Sequence, residues 1–345
     1  MDTEINTVND SCNSSTSSDW RTYPFATEPI PKLSISDPEI NRYIAETRPV
    51  IITDSKLVEP ALKWNLDFLH ENLGSSTFNV LVSKNEKFMY YDTRKVQRTK
   101  GFHSDVKFEE MKFDDFVKRL HRASDIEGDN VYLQQALNDT VGKKIVDDFV
   151  KFNWSWVTDQ QKRHGWGPLT SNLLLIAPPG SITPAHYDEQ ENFFAQVGGQ
   201  KRILLFSPDQ FGKMYPYPVD HPHDRQSQVN FDDPDYERFP KFKEVKALEG
   251  FINPGEVLYI PMYWWHHIES NPNGKETTSV TFWYKTGTLP KQIPYPLSSQ
   301  QKVSIMRNIE KMLSECLRNP EEIGPLLHMM TDGRYYNTHN IMPPV

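Results

Sequence analysis

His186-Tyr-Asp188 sets an imidazole and a carboxylate two residues apart. In extended chain, residues i and i+2 point to the same side. The two groups then share a face, with Tyr187 on the other. One more histidine from a distant strand completes a two-His, one-carboxylate set. Such a set leaves one side of the metal open and suits non-haem Fe(II) oxygenases. The spacing alone says little. With 11 His and 46 acids, chance gives roughly 1.5 His-x-Asp/Glu matches. The chain holds three, the others being His103-Ser-Asp105 and His267-Ile-Glu269. Context singles out His186: it follows an apolar run and a Pro-Pro-Gly turn, and it precedes strands. Trp264-Trp-His-His267 comes after the next strand group, where a barrel would return a ligand to the same mouth. Spacing leaves both His266 and His267 open as that ligand.

Lys201 opens the run Lys-Arg-Ile-Leu-Leu-Phe206. Read from this run alone, it is an exposed strand-end lysine. Inside a barrel it would instead be a buried cation that needs an anion. A dicarboxylate co-substrate such as 2-oxoglutarate fits that need, and Thr183 and Tyr132 could donate hydroxyl hydrogen bonds to the same carboxylate. Other chemistries lack their signatures. There is no Gly-rich phosphate loop, no Gly-x-Ser-x-Gly motif and no Cys/His zinc knuckle. His221-Pro-His223 has no evident third ligand. Trp264 and Trp265 read as core residues.

The elements that must position these groups follow from local patterns. Ser36-Asp37-Pro38 is a helix start. Pro49 to Thr53 and Phe78 to Val82 read as strands, and Pro60 to Asn72 as a helix with Leu62, Leu66 and Leu69 on one face. A further helix is expected over Asp114 to Arg122. Asn172 to Ala177, Asn192 to Val197, Arg202 to Phe206, Glu256 to Ile260 and Thr277 to Tyr284 read as strands. Gly198-Gly199 reads as a hairpin-type turn. Pro208 to Pro254 is long, irregular and rich in Pro, Asp and Tyr, which suggests an ordered functional loop. The pattern is that of an antiparallel barrel or jelly roll. Gln301 to Leu317 keeps helical spacing, with Ile305, Ile309, Met312 and Cys316 on a stripe that Met306, Leu313 and Leu317 widen. That stripe suits either the body of the chain or a partner helix.

Composition bounds the rest. The 345 residues are 37% hydrophobic and 12% aromatic, which is globular. A net charge of -8, from 46 acids against 38 bases, argues against a general nucleic-acid binder. Only Cys12 and Cys316 are cysteines, so no disulfide scaffold is expected and a reducing compartment fits. No apolar run is long enough to span a membrane. Residues 1–19 read as an acidic, disordered tail and not a signal peptide. Cytoplasm and nucleus are the expected location.

Longer stretches carry a resemblance. Thr183 to Gln190, Tyr215 to Val219, Asp224 to Val229, Leu258 to Ser270 and Met306 to Leu313 resemble the asparaginyl hydroxylases that act on hypoxia-inducible factor (HIF), within the JmjC-type 2-oxoglutarate oxygenases. The likeness runs from about Tyr23 to Tyr335. It implies a mainly β fold, a double-stranded β-helix (jelly roll, cupin-like) over residues 20–298 with flanking helices. A C-terminal helical dimerisation segment, 299–345 and including Leu327, would follow. It implies Fe(II) on His186, Asp188 and His266, with O2 and 2-oxoglutarate as co-substrates. Lys201, Thr183, Tyr132, Asn192 and Gln134 would surround the 2-oxoglutarate. Arg225 and Gln226 would bond the target Asn, with Gln190, Asp139, Trp283 and Asn308 along the peptide groove. The implied substrates are HIF-type activation domains and ankyrin repeats, hydroxylated at the Asn β-carbon. One position departs from that family: Thr281 stands where it has Asn, which puts that contact with 2-oxoglutarate in question. Competing readings are a JmjC demethylase or hydroxylase of another residue, and a peptide-binding module without turnover.

Overall fold

The computed structural model describes residues 20–332 apart from 74–75, 123–128, 139–140, 288–292, 294 and 318. The expected tail and Asp139 lie outside these. In chain order the strands are β1 (Ala26–Pro29), β2 (Lys32–Ser34), β3 (Val50–Thr53), β4 (Thr77–Ser83), β5 (Val106–Lys112), β6 (Asn130–Ala136), β7 (Leu169–Ser171) and β8 (Leu173–Ala177). They continue as β9 (Ile182–Tyr187), β10 (Glu191–Gly198), β11 (Lys201–Phe206), β12 (Lys246–Ile252), β13 (Val257–Ile260), β14 (Trp265–Ser270) and β15 (Thr277–Tyr284). The helices are α1 (Glu39–Ala45), α2 (Leu66–Asn72), α3 (Thr93–Val96), α4 (Phe113–Arg122), α5 (Lys143–Phe149), α6 (Trp154–Arg163), α7 (Ser299–Cys316) and α8 (Ile323–Thr331).

Two sheets face each other as a jelly roll. One has the order β1-β12-β11-β14-β9; the other runs β2-β3-β13-β10-β15-β8-β6-β4-β5, with β7 beside β15. Period-2 alternation sorts the side chains. On β10, Phe193, Ala195 and Val197 pack outward under the N-terminal helices, while Phe194 joins the layer between the sheets. On β11, Ile203 and Leu205 point between the sheets, and Leu204 and Phe206 point outward. The outer face of the smaller sheet is sealed by Phe231, Phe239 and Phe242 of the 208–254 segment and by Val303 of α7. That segment is therefore ordered, as its aromatics suggest.

Three expectations are corrected. Gly198-Gly199 closes no hairpin, because β10 pairs with β13 and β15 while β11 pairs with β12 and β14. The turn carries the chain from one sheet to the other, and Gly199 takes φ +68 with the backbone of Glu276 and Thr277 too close for a Cβ. Residues 60–72 are not one helix. A short 3-10 turn ends at Ala61, Leu62 is exposed, and α2 starts only after Asn65, whose side chain accepts the Phe68 N–H. The 208–254 segment also ends in a strand, β12, which its Pro-rich lead-in concealed. On α7, Val303, Arg307 and Leu313 are the buried positions, while Met306, Ile309 and Met312 stay exposed. Among the described residues no helix is long and apolar enough to cross a membrane.

Candidate metal centre

Strands β9 and β14 lie side by side, antiparallel, with His186 opposite His266. Their register then slips, so that Ile268 pairs with Thr183. Between these pairs β9 has two residues and β14 has one. The extra residue is a bulge, which re-aims side chains. It lets Thr183 and His186, three apart, both face the space between the sheets. On β14, His266 and Ile268 face the same way, and His267 faces out. There His267 stacks on Phe231 (centroids 5.0 Å) and bonds Tyr23 Oη at 2.9 Å. The two adjacent histidines thus serve opposite faces of one sheet. Asp188 follows the last residue of β9.

Ligand atoms of His186, Asp188 and His266 all lie within 4.8 Å of one another, the one such group among the described residues. Both imidazoles are oriented alike. His186 Nδ1 bonds Pro184 O at 2.9 Å, and His266 Nδ1 bonds Trp264 O at 3.1 Å. A carbonyl can only accept, so each Nδ1 carries the proton and each Nε2 lone pair is left for a metal. Burial, with the neighbouring His266, pushes His186 down to about 3; burial also lowers His266. Both rings are neutral, the ligating form. Burial works to raise the Asp188 carboxyl, but His266, His186 and Arg225 hold it below its ordinary value.

At the other end of the same cavity, of about 200 Å3, stands Lys201. It shares the inward parity of Ile203 and Leu205 and is only 2% exposed. Its Nζ lies 5.6 Å from the centre of the Tyr132 ring and 5.3 Å from that of Phe194. Among the described residues no carboxylate pairs with it. Burial alone pushes it down to about 7. Tyr132, Thr183, Asn192, Gln134 and Thr281 line the cavity too. The Tyr132 and Thr183 side chains bond each other, and Asn192 Oδ1 is buried with no partner among the described residues. A buried cation that faces three metal-ligating groups across one cavity is what an iron ion and a chelating dicarboxylate require. Thr281, 1% exposed, accepts the Leu173 N–H at 3.2 Å through Oγ1.

Residues 36–288 match the family described as the Cupin-like domain. The chain belongs to this family. Among similar proteins, the lysine-specific demethylase JMJ30 of Arabidopsis thaliana is 32% identical over 245 residues, 70% of this chain and 51% of that one. JmjC domain-containing protein D of Dictyostelium discoideum is 40% identical over 95 residues, 28% of this chain and 21% of that one. The tRNA wybutosine-synthesizing protein 5 of Gallus gallus is 27% identical over 232 residues, 66% of this chain and 68% of that one. The chain spans about half the length of JMJ30, and less of protein D. Two of these relatives are named as a lysine-specific demethylase and a JmjC domain-containing protein, and the family shown for this chain is the cupin-like one.

Around the carboxylate, this cupin-like domain is tightly tied. Asp188 Oδ1 accepts from Arg225 Nη1 at 3.0 Å, and Oδ2 accepts from Trp283 Nε1 at 3.2 Å. Its carbonyl accepts the Tyr263 N–H at 2.9 Å. Arg225 (φ +69) and Tyr263 (φ +66) both hold left-handed backbone, costing on the order of 1 kcal/mol each. Such strain persists where surrounding contacts fix the position. Gln226 is buried at the cavity wall and donates its amide to Tyr90 O. Gln190 is further out, bonded to Thr170 Oγ1 at 2.7 Å. Asn308 is exposed on α7 and does not line the cavity. His221 and His223 join an aromatic cluster with Phe102 and Tyr217. The sequence reading missed Tyr90 and Asp224 in the cavity wall, and Glu189 and Arg307 behind it. Their one signal was position: Glu189 and Asp224 adjoin Asp188 and Arg225.

Proposed function

We propose that this protein is an Fe(II)- and 2-oxoglutarate-dependent protein hydroxylase that acts on the β-carbon of Asn side chains, in the manner of factor inhibiting HIF. One observation carries the first half: a fully buried lysine, with no carboxylate partner among the described residues, shares a cavity with a two-His, one-carboxylate set. His186, Asp188 and His266 would hold the iron, and Lys201 with Thr183 and Tyr132 would hold the far carboxylate of 2-oxoglutarate. When bound, iron and 2-oxoglutarate supply the oxidising chemistry, in which O2 and 2-oxoglutarate give succinate, CO2 and one hydroxyl on the substrate carbon. The chain's own residues orient and exclude water. The Nδ1 bonds fix both imidazoles, Arg225 and Trp283 fix the Asp188 carboxylate, and Phe88, Leu175, Phe194 and Ile268 form apolar cavity walls.

The substrate half rests on Arg225 and Gln226, which line the cavity with a guanidinium and an amide. A carboxamide can both donate to and accept from such a pair, which presents one C–H to the metal. HIF-type activation domains and ankyrin-repeat segments are the proposed substrates, in cytoplasm and nucleus. A second copy of the chain is the proposed partner on the exposed Met306, Met312 and Met329 surface of the C-terminal helices. The test is mass spectrometry of an Asn-containing ankyrin-repeat peptide and a HIF-type peptide after incubation with Fe(II), 2-oxoglutarate and O2. One added oxygen on Asn, absent with His186→Ala, is expected. Consumption of 2-oxoglutarate with no oxygen on Asn would overturn the substrate. The names of the JMJ30-type relatives favour a second reading, demethylation of lysine, and a methyl-lysine peptide in the same assay decides between them. No consumption at all would leave a peptide-binding module.

A further inference from the structure

Helix α7 lies behind the cavity wall, and one of its side chains reaches both residues that flank the carboxylate and its arginine. Arg307 is 2% exposed. Its Nε donates to Glu189 Oε1 at 2.8 Å, Nη1 to Asp224 Oδ1 at 2.8 Å and Nη2 to Asp224 Oδ2 at 3.1 Å. Its guanidinium lies 5.2 Å from the Tyr187 ring centre. Tyr187 and Glu189 bracket Asp188; Asp224 precedes Arg225. The Tyr187 N–H in turn donates to Arg225 O at 3.1 Å. A single planar group therefore spans the two chain segments whose members meet in the Arg225–Asp188 pair. A bidentate arginine fixes angle as well as distance, which a lysine cannot. Ser304, one turn earlier on α7, bonds the Tyr263 hydroxyl, and Tyr263 caps the Asp188 carbonyl.

We propose that Arg307 is a positioning residue of the active site: by clamping Glu189 to Asp224 it sets Asp188 and Arg225 in register, and so governs both metal affinity and the hold on the target side chain. The proposal rests on the reading of the triad as a metal site and of Arg225 as a substrate contact. The two acids do not depend on Arg307 for charge balance. Asp224 keeps Lys95 Nζ at 2.9 Å, and Glu189 keeps Lys311 Nζ at 2.8 Å. Replacement of Arg307 thus loosens register without leaving a bare buried carboxylate.

Arg307→Lys keeps the charge and removes the fork. The measurements are Co(II) affinity by visible absorption, peptide KM against kcat, and 2-oxoglutarate consumed per peptide hydroxylated. Lys302→Ala, exposed on the same helix, is the control. Loss of a partner behind a ligand typically costs about 10–100-fold in metal affinity or activity. The expected result for folded Arg307→Lys is about tenfold weaker Co(II) binding, a raised peptide KM, and 2-oxoglutarate consumed in excess of product. Glu189→Gln, at a half-exposed position, should shift all three the same way by less, and decides the matter if Arg307→Lys does not fold. Folded variants with wild-type Co(II) affinity, KM and coupling would overturn the proposal. If wild type turns over no 2-oxoglutarate, the functional reading falls, while the Co(II) titration still tests the clamp.

Discussion

Lys201→Met should stabilise the ligand-free protein while destroying its affinity for 2-oxoglutarate. Lysine ordinarily titrates near 10.5, and burial pushes Lys201 down to about 7. The fold gives up this proton at pH values where the unfolded chain keeps it. The resulting penalty is full below pH 7 and fades as pH rises towards 10.5. At neutral pH it amounts to roughly 4 kcal/mol. Met fills nearly the same volume with no charge, so repacking strain stays small. Removal of the penalty raises Tm by about 5 °C for a chain of this size. Binding moves the other way. A dicarboxylate that loses its buried cationic partner forfeits about 2–5 kcal/mol, or roughly 30-fold to several thousand-fold in Kd. The assay is thermal unfolding of wild type and Lys201→Met with and without 2-oxoglutarate, with zinc in place of iron to prevent turnover. Wild type should also bind 2-oxoglutarate more weakly as pH rises above about 7, where Lys201 must take up a proton to pair with it. A lower Tm in the variant would show that Lys201 is paired within the protein. Undiminished affinity would show that the carboxylate binds elsewhere. Either result refutes the reasoning.

Two further outcomes follow from buried groups near the cavity. Burial pushes Glu191 up to about 7 against the hydrogen bond from Tyr259 Oη, so its contribution to stability is full below pH 4.5 and is lost by about pH 7. Urea unfolding should show roughly 3 kcal/mol of this fall, and Glu191→Gln should flatten the profile; an unchanged slope would show that Glu191 is charged throughout. Thr281→Val removes the acceptor of the half-buried Leu173 N–H and should cost ~0.5–1.5 kcal/mol. An unaltered Tm would mean that another group satisfies that donor.

What was legible in the sequence was what depends on strand parity and residue type. His186 and Asp188 stood out through their i, i+2 spacing together with the turn and strands around it, whereas the run headed by Lys201 read alone as an exposed strand end, and its burial follows from sharing the inward parity of Ile203 and Leu205. What was not legible depends on register between distant strands. The choice between His266 and His267 turns on register: His266 pairs with His186 on one side and with inward-facing Leu205 on the other, and the sequence of β14 alone does not encode it. Likewise Gly198-Gly199 has hairpin chemistry, yet the partners of β10 and β11 are chosen by packing in two different sheets. Leu62 kept helical spacing with Leu66 and Leu69, but Asn65 caps α2 and ends the run. Arg307 lies on the helix expected over Gln301 to Leu317, where nothing in the apolar spacing marks it. Its role needed Glu189 and Asp224, more than 80 residues earlier in the chain.

The central claim is that iron sits on His186, Asp188 and His266, and that 2-oxoglutarate is consumed there. Its most direct test is metal content and Fe(II)-dependent conversion of 2-oxoglutarate to succinate in wild type, His266→Gln and His267→Gln. The account predicts one iron per chain and turnover in wild type and His267→Gln, with neither in His266→Gln. Iron and turnover retained by His266→Gln, or lost from a folded His267→Gln, would contradict it.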